Sequence, residues 1–239
     1  MKLLRRVASL VPRSVREPLV FELRSYLGEK FSRPIDVDPR STNYVNLGSG
    51  DILFSDYINI DVFPFLGSPK YAEPYYGADL RRPLRLPSAS IDGFFSEHTF
   101  EHLTFDDGER LFAECLRALK AGGRLRVIVP DVSLFLNAWC RGDEAWFREW
   151  ERIYLTESDD PERAGRSLVT PMTALSFVTQ EYGHLSAWDF ATMKIYLERA
   201  GFTSVTQCRF REGADPRLLR DLDTEDRRFV SLYVEASKP

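Results

Sequence analysis

The chain has 239 residues, 44% of them hydrophobic, and a formal net charge of −4. This length supports one large core with short additions, and the small charge argues against bulk binding to nucleic acid. No apolar run approaches the roughly 18 residues that a membrane span needs. The cysteines lie far apart without a CxxC pair, which is typical of reduced thiols and predicts a cytoplasmic protein.

Residues 1–40 form an N-terminal extension. The basic start at residues 1–12 has only a short apolar stretch before Pro12, so we do not expect export. Residues 14–31 predict an amphipathic helix that packs on the core or on a second copy in a homodimer; contact of its arginines with a membrane surface is the alternative. Its apolar face is formed by Val15, Leu19, Val20, Leu23, Tyr26 and Leu27.

A glycine turn lies between two short apolar runs at residues 44–61. Gly48 and Gly50 let the backbone approach a ligand, because no Cβ is in the way. Asp61 ends the second run, where a carboxylate can accept hydrogen bonds from the two hydroxyls of a ribose. Asp51 follows the turn and would repel phosphates at a helix start, so the pattern favours a nucleoside cofactor without phosphate. A plain loop turn is the alternative.

Strand and helix patterns alternate through the rest of the chain. We predict strands at 43–47, 57–61, 91–96, 124–129, 202–210 and 228–236. A helix precedes Gly122 and Gly123, and Ser186 with Asp189 predicts a capping box for a helix that ends at Gly201. This alternation predicts an α/β fold whose mainly parallel sheet is covered on both faces, with an antiparallel C-terminal edge.

Ordered motifs resemble those of class I S-adenosylmethionine-dependent methyltransferases, in particular a small type 11-like branch often linked to glycan pathways. The matching residues are Asn46 to Gly50, Ile60-Asp61, Ala78 to Leu80, Leu86-Pro87, Ser90 to Ser96, Glu101 to Leu103, Leu119 to Leu125 and Ala200 to Phe202. Asn46 stands where the family usually has an acid, and too few residues follow the turn for a full helix. The resemblance implies a Rossmann-like seven-stranded sheet over residues 41–239.

The resemblance also implies the cofactor, S-adenosylmethionine, and its contacts. Asp61 would hold the ribose, Asp79 with Leu80 would face the adenine, and Ser96 would lie near the methionine part. For Asp61 a capping or solvated turn is the alternative, and for Asp79 a salt-bridged turn. The full implied set is Asn46, Gly48, Ser49, Gly50, Asp61, Val62, Asp79, Leu80 and Ser96.

Transfer to a hydroxyl needs a proton acceptor, and His184, His98 and Asp131 are the candidates. Each also has a structural alternative: His184 would tie its loop to the core, His98 would be a packed ring, and Asp131 would cap a helix. Asp131 would orient a histidine or hold a divalent cation. Residues 139–188 predict an acceptor-side insertion, with a lid at 156–170.

The insertion is rich in aromatic residues. Trp139, Trp146, Phe147, Trp150 and Tyr154 recur at helical spacing, which is more typical of a core than of a ligand platform. Tyr182 and Trp188 with nearby charged residues would suit a sugar.

We therefore predict O-methylation of a small molecule or of a sugar or glycan hydroxyl. One alternative is a zinc hydrolase, because His98, Glu101 and His102 spell H-x-x-E-H. Another is a non-catalytic partner protein with the same fold. We expect His102 to be a buried structural histidine.

Overall fold

The computed structural model describes residues 13–31, 34–62, 75–157, 165–167 and 170–239. Within these residues, seven strands form one sheet: β1 (Tyr44–Leu47), β2 (Ile58–Asp61), β3 (Tyr75–Gly77), β4 (Ile91–Glu97), β5 (Leu119–Pro130), β6 (Thr203–Cys208) and β7 (Ser231–Ser237). The α-helices are α1 (Arg13–Phe31), α2 (Phe105–Ala118), α3 (Val132–Arg141), α4 (Glu144–Glu151), α5 (Pro171–Gln180), α6 (Phe190–Ala200) and α7 (Glu225–Val230).

The sheet order is β3-β2-β1-β4-β5-β7-β6. β7 pairs antiparallel with both β5 and β6, and every other pairing is parallel. The order reverses at β1, which lies between β2 and β4. Ligands of open α/β sheets bind outside the carboxyl ends of the strands at such a switch point. The fold therefore places any site next to the ends of β1, β2 and β4.

In the described part of the chain, buried apolar side chains form three clusters. The largest lies between one sheet face and helices α2 and α6, where Phe112 and Leu197 are buried. A smaller cluster on the opposite face includes Tyr44 and Leu218. Because side chains alternate along a strand, Val45 and Tyr44 enter different clusters, as expected for a sheet covered on both faces. The third cluster joins α3, α4, α5 and α7 and forms a separate wall beside the sheet.

Several predicted boundaries differ from the structure. Strand β5 begins at Leu119 and includes Gly122 and Gly123, which we expected to lie outside it. The predicted last strand begins too early, since residues 225–230 form α7. Asp189 is the N-cap of α6 and accepts from Thr192 N. Ser186 takes no part in that cap, because its hydroxyl donates to the Phe100 carbonyl instead. No described helix has both the length and the apolar character to cross a bilayer.

Helix α1 forms as predicted, but its predicted apolar face is not packed on the core. Leu19, Leu23 and Tyr26 are 64%, 57% and 55% exposed. Ser25, on another side of the helix, is buried against the end of β3. Polar contacts rather than the apolar stripe attach this helix, so the expectation of core packing is wrong for these three residues. Most of the predicted lid at 156–170 lies outside the described residues.

Candidate cofactor and acceptor site

The two glycines of the turn after β1 have different surroundings. Both have positive φ, +66° at Gly48 and +51° at Gly50. A Cβ on Gly48 would lie 2.1 Å from Thr99 Oγ1, whereas a Cβ on Gly50 would meet nothing within 4 Å. Gly48 is therefore required by packing against Thr99, and Gly50 faces open space where a ligand can approach the backbone.

Asp61 lies opposite this turn at the end of β2. Its carboxylate accepts from Gly50 N at 2.6 Å and from Val62 N at 2.6 Å. Burial raises the pKa of Asp61, and the two N–H donors act in the opposite direction. Each carboxylate oxygen keeps a further lone pair, which suits the two hydroxyls of a ribose.

Three other predicted cofactor residues lie around the same turn. Asn46 is buried and donates to the Ile52 carbonyl and to Asn59 Oδ1, so its amide group ties the turn to β2. Ser96 Oγ donates to the Leu47 carbonyl at 3.3 Å and joins β4 to β1. Ser49 differs, because its buried hydroxyl has no hydrogen-bond partner in the described part of the chain. A buried polar group of this kind is usually paired, so Ser49 fits a ligand contact.

Asp79 follows β3 and is buried within a network of charged and polar groups. Arg81 pairs with its carboxylate at 2.7 Å, and Ser25 of α1 donates to it at 2.5 Å. Burial would raise the pKa of Asp79, but these partners outweigh it and hold the pKa below its ordinary value. Arg81 also pairs with Glu22 of α1. These contacts match the salt-bridged turn that we considered as the alternative, and they bring α1 to the predicted adenine end of the site.

All three histidines of the chain gather around Glu101. His98 Nδ1 lies 3.3 Å from Glu101 Oε1, and His98 Nε2 lies 2.9 Å from Ser231 Oγ. The rings of His102 and His184 meet edge to face with centroids 4.9 Å apart. Glu101 is 2% exposed. Burial would raise its pKa, but the attraction of His98 outweighs that effect and keeps the pKa below its ordinary value.

The His184 ring has a fixed orientation. Its Nδ1 lies 2.7 Å from the Val178 carbonyl, which can only accept, so Nδ1 carries the proton and Nε2 keeps a lone pair. Burial lowers the pKa of His184 despite the nearby Glu101, which favours the neutral ring. Leu185 N and Ser186 N donate to the Glu101 carbonyl and fix the loop beside the cluster. His184 is thus held as a neutral proton acceptor.

A cavity of about 370 Å³ opens beside this cluster, within the size range of small-molecule sites. Its walls combine the three histidines and Glu101 with aromatic rings and two further charged residues, Asp226 and Arg227. The other lining residues are Pro130, Phe135, Trp150, Tyr154, Phe177, Val178, Tyr182 and Val230.

Several residues do not lie where we expected. Asp131 is not among the cavity lining, and its carboxylate caps α3 by accepting from Ser133 N and Oγ. Trp188 is 1% exposed in the main core, so it is wrong as a sugar platform. His102 is exposed, contrary to our expectation of a buried ring. Trp150 and Tyr154 are both core and cavity wall.

The H-x-x-E-H pattern does not form a helical metal motif. Only residues 100–102 make a short 3₁₀ turn, and His98 precedes it with a φ of +50°. His98 faces Ser231 and Glu101, while His102 faces His184. The structure therefore does not favour the hydrolase that this motif would serve.

Comparison with known proteins agrees with this geometry. A family model described as a methyltransferase domain matches residues 66–127. An S-adenosylmethionine-dependent methyltransferase from Archaeoglobus fulgidus has the same fold, with a TM-score of 0.50 and 16% identity over 90% of this chain and 93% of that chain. These two findings identify the chain as a methyltransferase, a transferase of one-carbon groups, with the fold of an S-adenosylmethionine-dependent enzyme.

Two further solved structures resemble this methyltransferase less closely by TM-score. One from Mesorhizobium loti has a TM-score of 0.45 and 20% identity, over 82% of this chain and 90% of that chain. Phosphoethanolamine N-methyltransferase 2 from Haemonchus contortus, in complex with S-adenosyl-L-methionine, has 0.48 and 12% identity over 92% of this chain and 53% of that chain. No curated protein sequence matches this methyltransferase.

The residues around the turn fit the cofactor of this methyltransferase. Gly50 offers an open approach, Ser49 has an unpaired buried hydroxyl, and Asp61 presents a fixed carboxylate. Sequence reasoning found these residues because turn and strand end are local patterns. It missed Thr99, whose side chain fills the space above Gly48, since nothing local to residue 99 indicates that contact.

Proposed function

We propose that this methyltransferase methylates a hydroxyl group of a small molecule, with a sugar or glycan as the favoured class, and that His184 accepts the hydroxyl proton. The observation that supports it is the fixed His184 ring beside an aromatic cavity. Because Val178 takes Nδ1–H, the free lone pair of the ring is on Nε2. A hydroxyl bound in the cavity would have that nitrogen as its proton acceptor.

Apart from this proton acceptor, methyl transfer requires few chemical groups from the protein. When bound, the cofactor supplies a methyl group on a positively charged sulfur, which is already activated for in-line displacement. The chain must position the acceptor oxygen and remove its proton. Glu101 lies near His184 and, being ionised, stabilises the imidazolium that forms there. His98 contacts both Glu101 and Ser231, so we assign it the positioning of Glu101 rather than proton transfer.

The segment after β4 connects the two halves of the site. Thr99 packs against Gly48 and its hydroxyl lies 3.3 Å from the Leu47 carbonyl, next to the cofactor turn. Glu101 and His102, a few residues later, line the acceptor cavity. This continuity supports transfer from a cofactor at the turn to an acceptor in the cavity.

The cavity walls favour a ring-shaped acceptor with polar groups. Trp150, Tyr154 and Phe177 present aromatic surface, as sugar rings prefer, and Asp226 with Arg227 offers hydrogen bonds of both kinds. All three rings come from residues 139–188, which supports our proposal that this stretch is an acceptor-side insertion in a domain spanning 41–239. The non-catalytic alternative gives no reason for an oriented histidine at this place.

The proposal is tested by methyl transfer from radiolabelled S-adenosylmethionine to a panel of sugars and phenols, followed by mass spectrometry of the product. His184→Asn retains an N–H that can reach the Val178 carbonyl but has no basic nitrogen. We expect it to lower turnover by roughly 10²–10⁴-fold with unchanged cofactor affinity. Leu185→Ala, at a residue that is 62% exposed, is the control and should keep its turnover.

Normal turnover by His184→Asn would transfer the role to His98 or show that no protein base is needed. An oxygen-bound methyl group in the product confirms the reaction class. Transfer only to amine contaminants, with no hydroxyl product, would contradict it.

The exposed side of α1 supports a second proposal, a homodimer through this helix. Leu19, Leu23 and Tyr26 leave an apolar stripe at the surface, and such stripes are often covered by a partner. Light scattering should give a dimer mass that Leu23→Glu converts to a monomer mass; an unchanged mass contradicts the dimer.

The cysteines at 115, 140 and 208 are free thiols, which supports a reducing compartment such as the cytoplasm.

A further inference from the structure

The cluster around Glu101 contains a set of donor atoms that suits a metal ion. One ligand atom each from Glu101, His102 and His184 lies within 4.8 Å of the others. Two imidazoles and one carboxylate are a common donor set for zinc and other late transition metals. Magnesium and calcium prefer oxygen ligands, so the donor types favour a Zn²⁺-like cation.

The carboxylate of Glu101 points to a ligand independently of the histidine spacing. It is 2% exposed, and neither of its oxygens accepts a hydrogen bond from a described residue. His98 Nδ1 lies 3.3 Å from Oε1 and attracts it, whereas Oε2 has no hydrogen-bond partner among the described residues. A buried carboxylate left in this state is costly, and a bound cation would remove that cost.

The surroundings also hold these ligands in place. His184 donates through Nδ1 to the Val178 carbonyl, the usual outer contact of a metal-binding histidine. The Glu101 carbonyl accepts from Leu185 N and Ser186 N, which ties the loop of His184 to the turn of Glu101. His102 is exposed and gives a cation a way in from solvent. The cavity side stays open for water.

We propose that Glu101, His102 and His184 bind one divalent cation of the zinc class, and that this cation blocks methyl transfer. The metal-binding part of the proposal depends on the geometry alone. The inhibition of methyl transfer by the bound cation rests on the function proposed above. A cation on His184 Nε2 uses the lone pair that would accept the hydroxyl proton, so the two roles exclude each other. The site would make the enzyme sensitive to free zinc.

The binding half is tested on the full chain after treatment with a chelator. Titration with ZnCl₂ in a calorimeter should show one equivalent bound, and Co²⁺ should give the absorption bands of a nitrogen- and oxygen-ligated ion. His102→Ala removes an exposed ligand and should weaken zinc binding by at least about 10²-fold. Glu101→Gln should do the same. Cys140→Ser removes an exposed thiol that does not line the cavity, and should bind zinc as the parent does.

Unfolding is recorded for each variant, so that a binding loss in a misfolded protein is not counted. The site is overturned if the parent binds no zinc, or if folded His102→Ala and Glu101→Gln both bind it with parental affinity. Loss of binding in Cys140→Ser alone would place the zinc elsewhere and also overturn it.

The block is measured as the zinc concentration that halves methyl transfer, each protein relative to its own zinc-free rate. We expect inhibition of the parent, and a shift to at least about 10²-fold higher zinc in His102→Ala. Zinc bound at the cluster without a fall in transfer would refute the block and leave the site. If the zinc-free enzyme methylates no acceptor, the proposed function fails, while calorimetry and cobalt spectra still decide the site.

Discussion

An alanine substitution should affect the two glycines of the cofactor turn differently: Gly48→Ala should lose more stability, and Gly50→Ala should lose more cofactor affinity. Gly48→Ala places a Cβ 2.1 Å from Thr99 Oγ1, and Gly50→Ala places one in open space. Both residues have positive φ, so both variants carry the cost of a left-handed alanine, about 1–2 kcal/mol. Only Gly48→Ala adds an overpacked contact, which costs a further ~1–3 kcal/mol.

The sum predicts a loss of about 2–5 kcal/mol for Gly48→Ala and about 1–2 kcal/mol for Gly50→Ala. In a domain of this size these values correspond to decreases of roughly 4–20 °C and roughly 2–8 °C in melting temperature. Cofactor binding should show the reverse order, because the methyl group of Gly50→Ala enters the space through which S-adenosylmethionine approaches. We expect that variant to stay folded and to lose most of its affinity.

Thermal unfolding followed by circular dichroism gives the first quantity, and calorimetric titration with S-adenosylmethionine gives the second. A double-mutant cycle with Thr99→Gly isolates the contact, since that change removes every Thr99 atom the new Cβ would meet. Gly48→Ala should cost less in that background by the overpacking amount. Equal melting temperatures for Gly48→Ala and Gly50→Ala, or normal cofactor binding by Gly50→Ala, would refute the assignment.

Two further predictions concern acidic residues at strand ends. Asp61→Ala should weaken S-adenosylmethionine binding in calorimetry by about 1.5–3 kcal/mol, because it removes a charge-assisted acceptor pair; unchanged affinity contradicts the ribose role. Burial raises the pKa of Glu97 to about 7, so its ionisation destabilises the fold as pH rises from about 4.5 through 7. Glu97→Gln cannot ionise, and its stability relative to the parent, from denaturant unfolding, should rise by roughly 2–4 kcal/mol between pH 5 and pH 8. A difference that is constant with pH contradicts this.

The sequence alone determined the features that depend on neighbouring residues. Alternating apolar runs placed β1, β2, β4 and the body of β5, and the glycines with the acid after β2 located the cofactor turn. Three-residue β3 escaped detection because it is too short for a periodic pattern. Helix α1 was found from its spacing, but the spacing did not reveal which side would be attached, since buried polar contacts at Ser25 decide that.

Only the tertiary structure decided which distant residues meet. His184 lies beside Glu101 because the loop before α6 hydrogen-bonds to the Glu101 carbonyl, and Thr99 fills the space above Gly48 because β4 pairs with β1. These contacts depend on strand order and on the path of long connections, which local periodicity does not predict. The prediction for Trp188 failed for the same reason: its sequence neighbours suggested a surface for a sugar, but the fold buries its ring in the main core. The sequence identifies a cofactor turn, and the fold decides which histidine and carboxylate meet in the cavity.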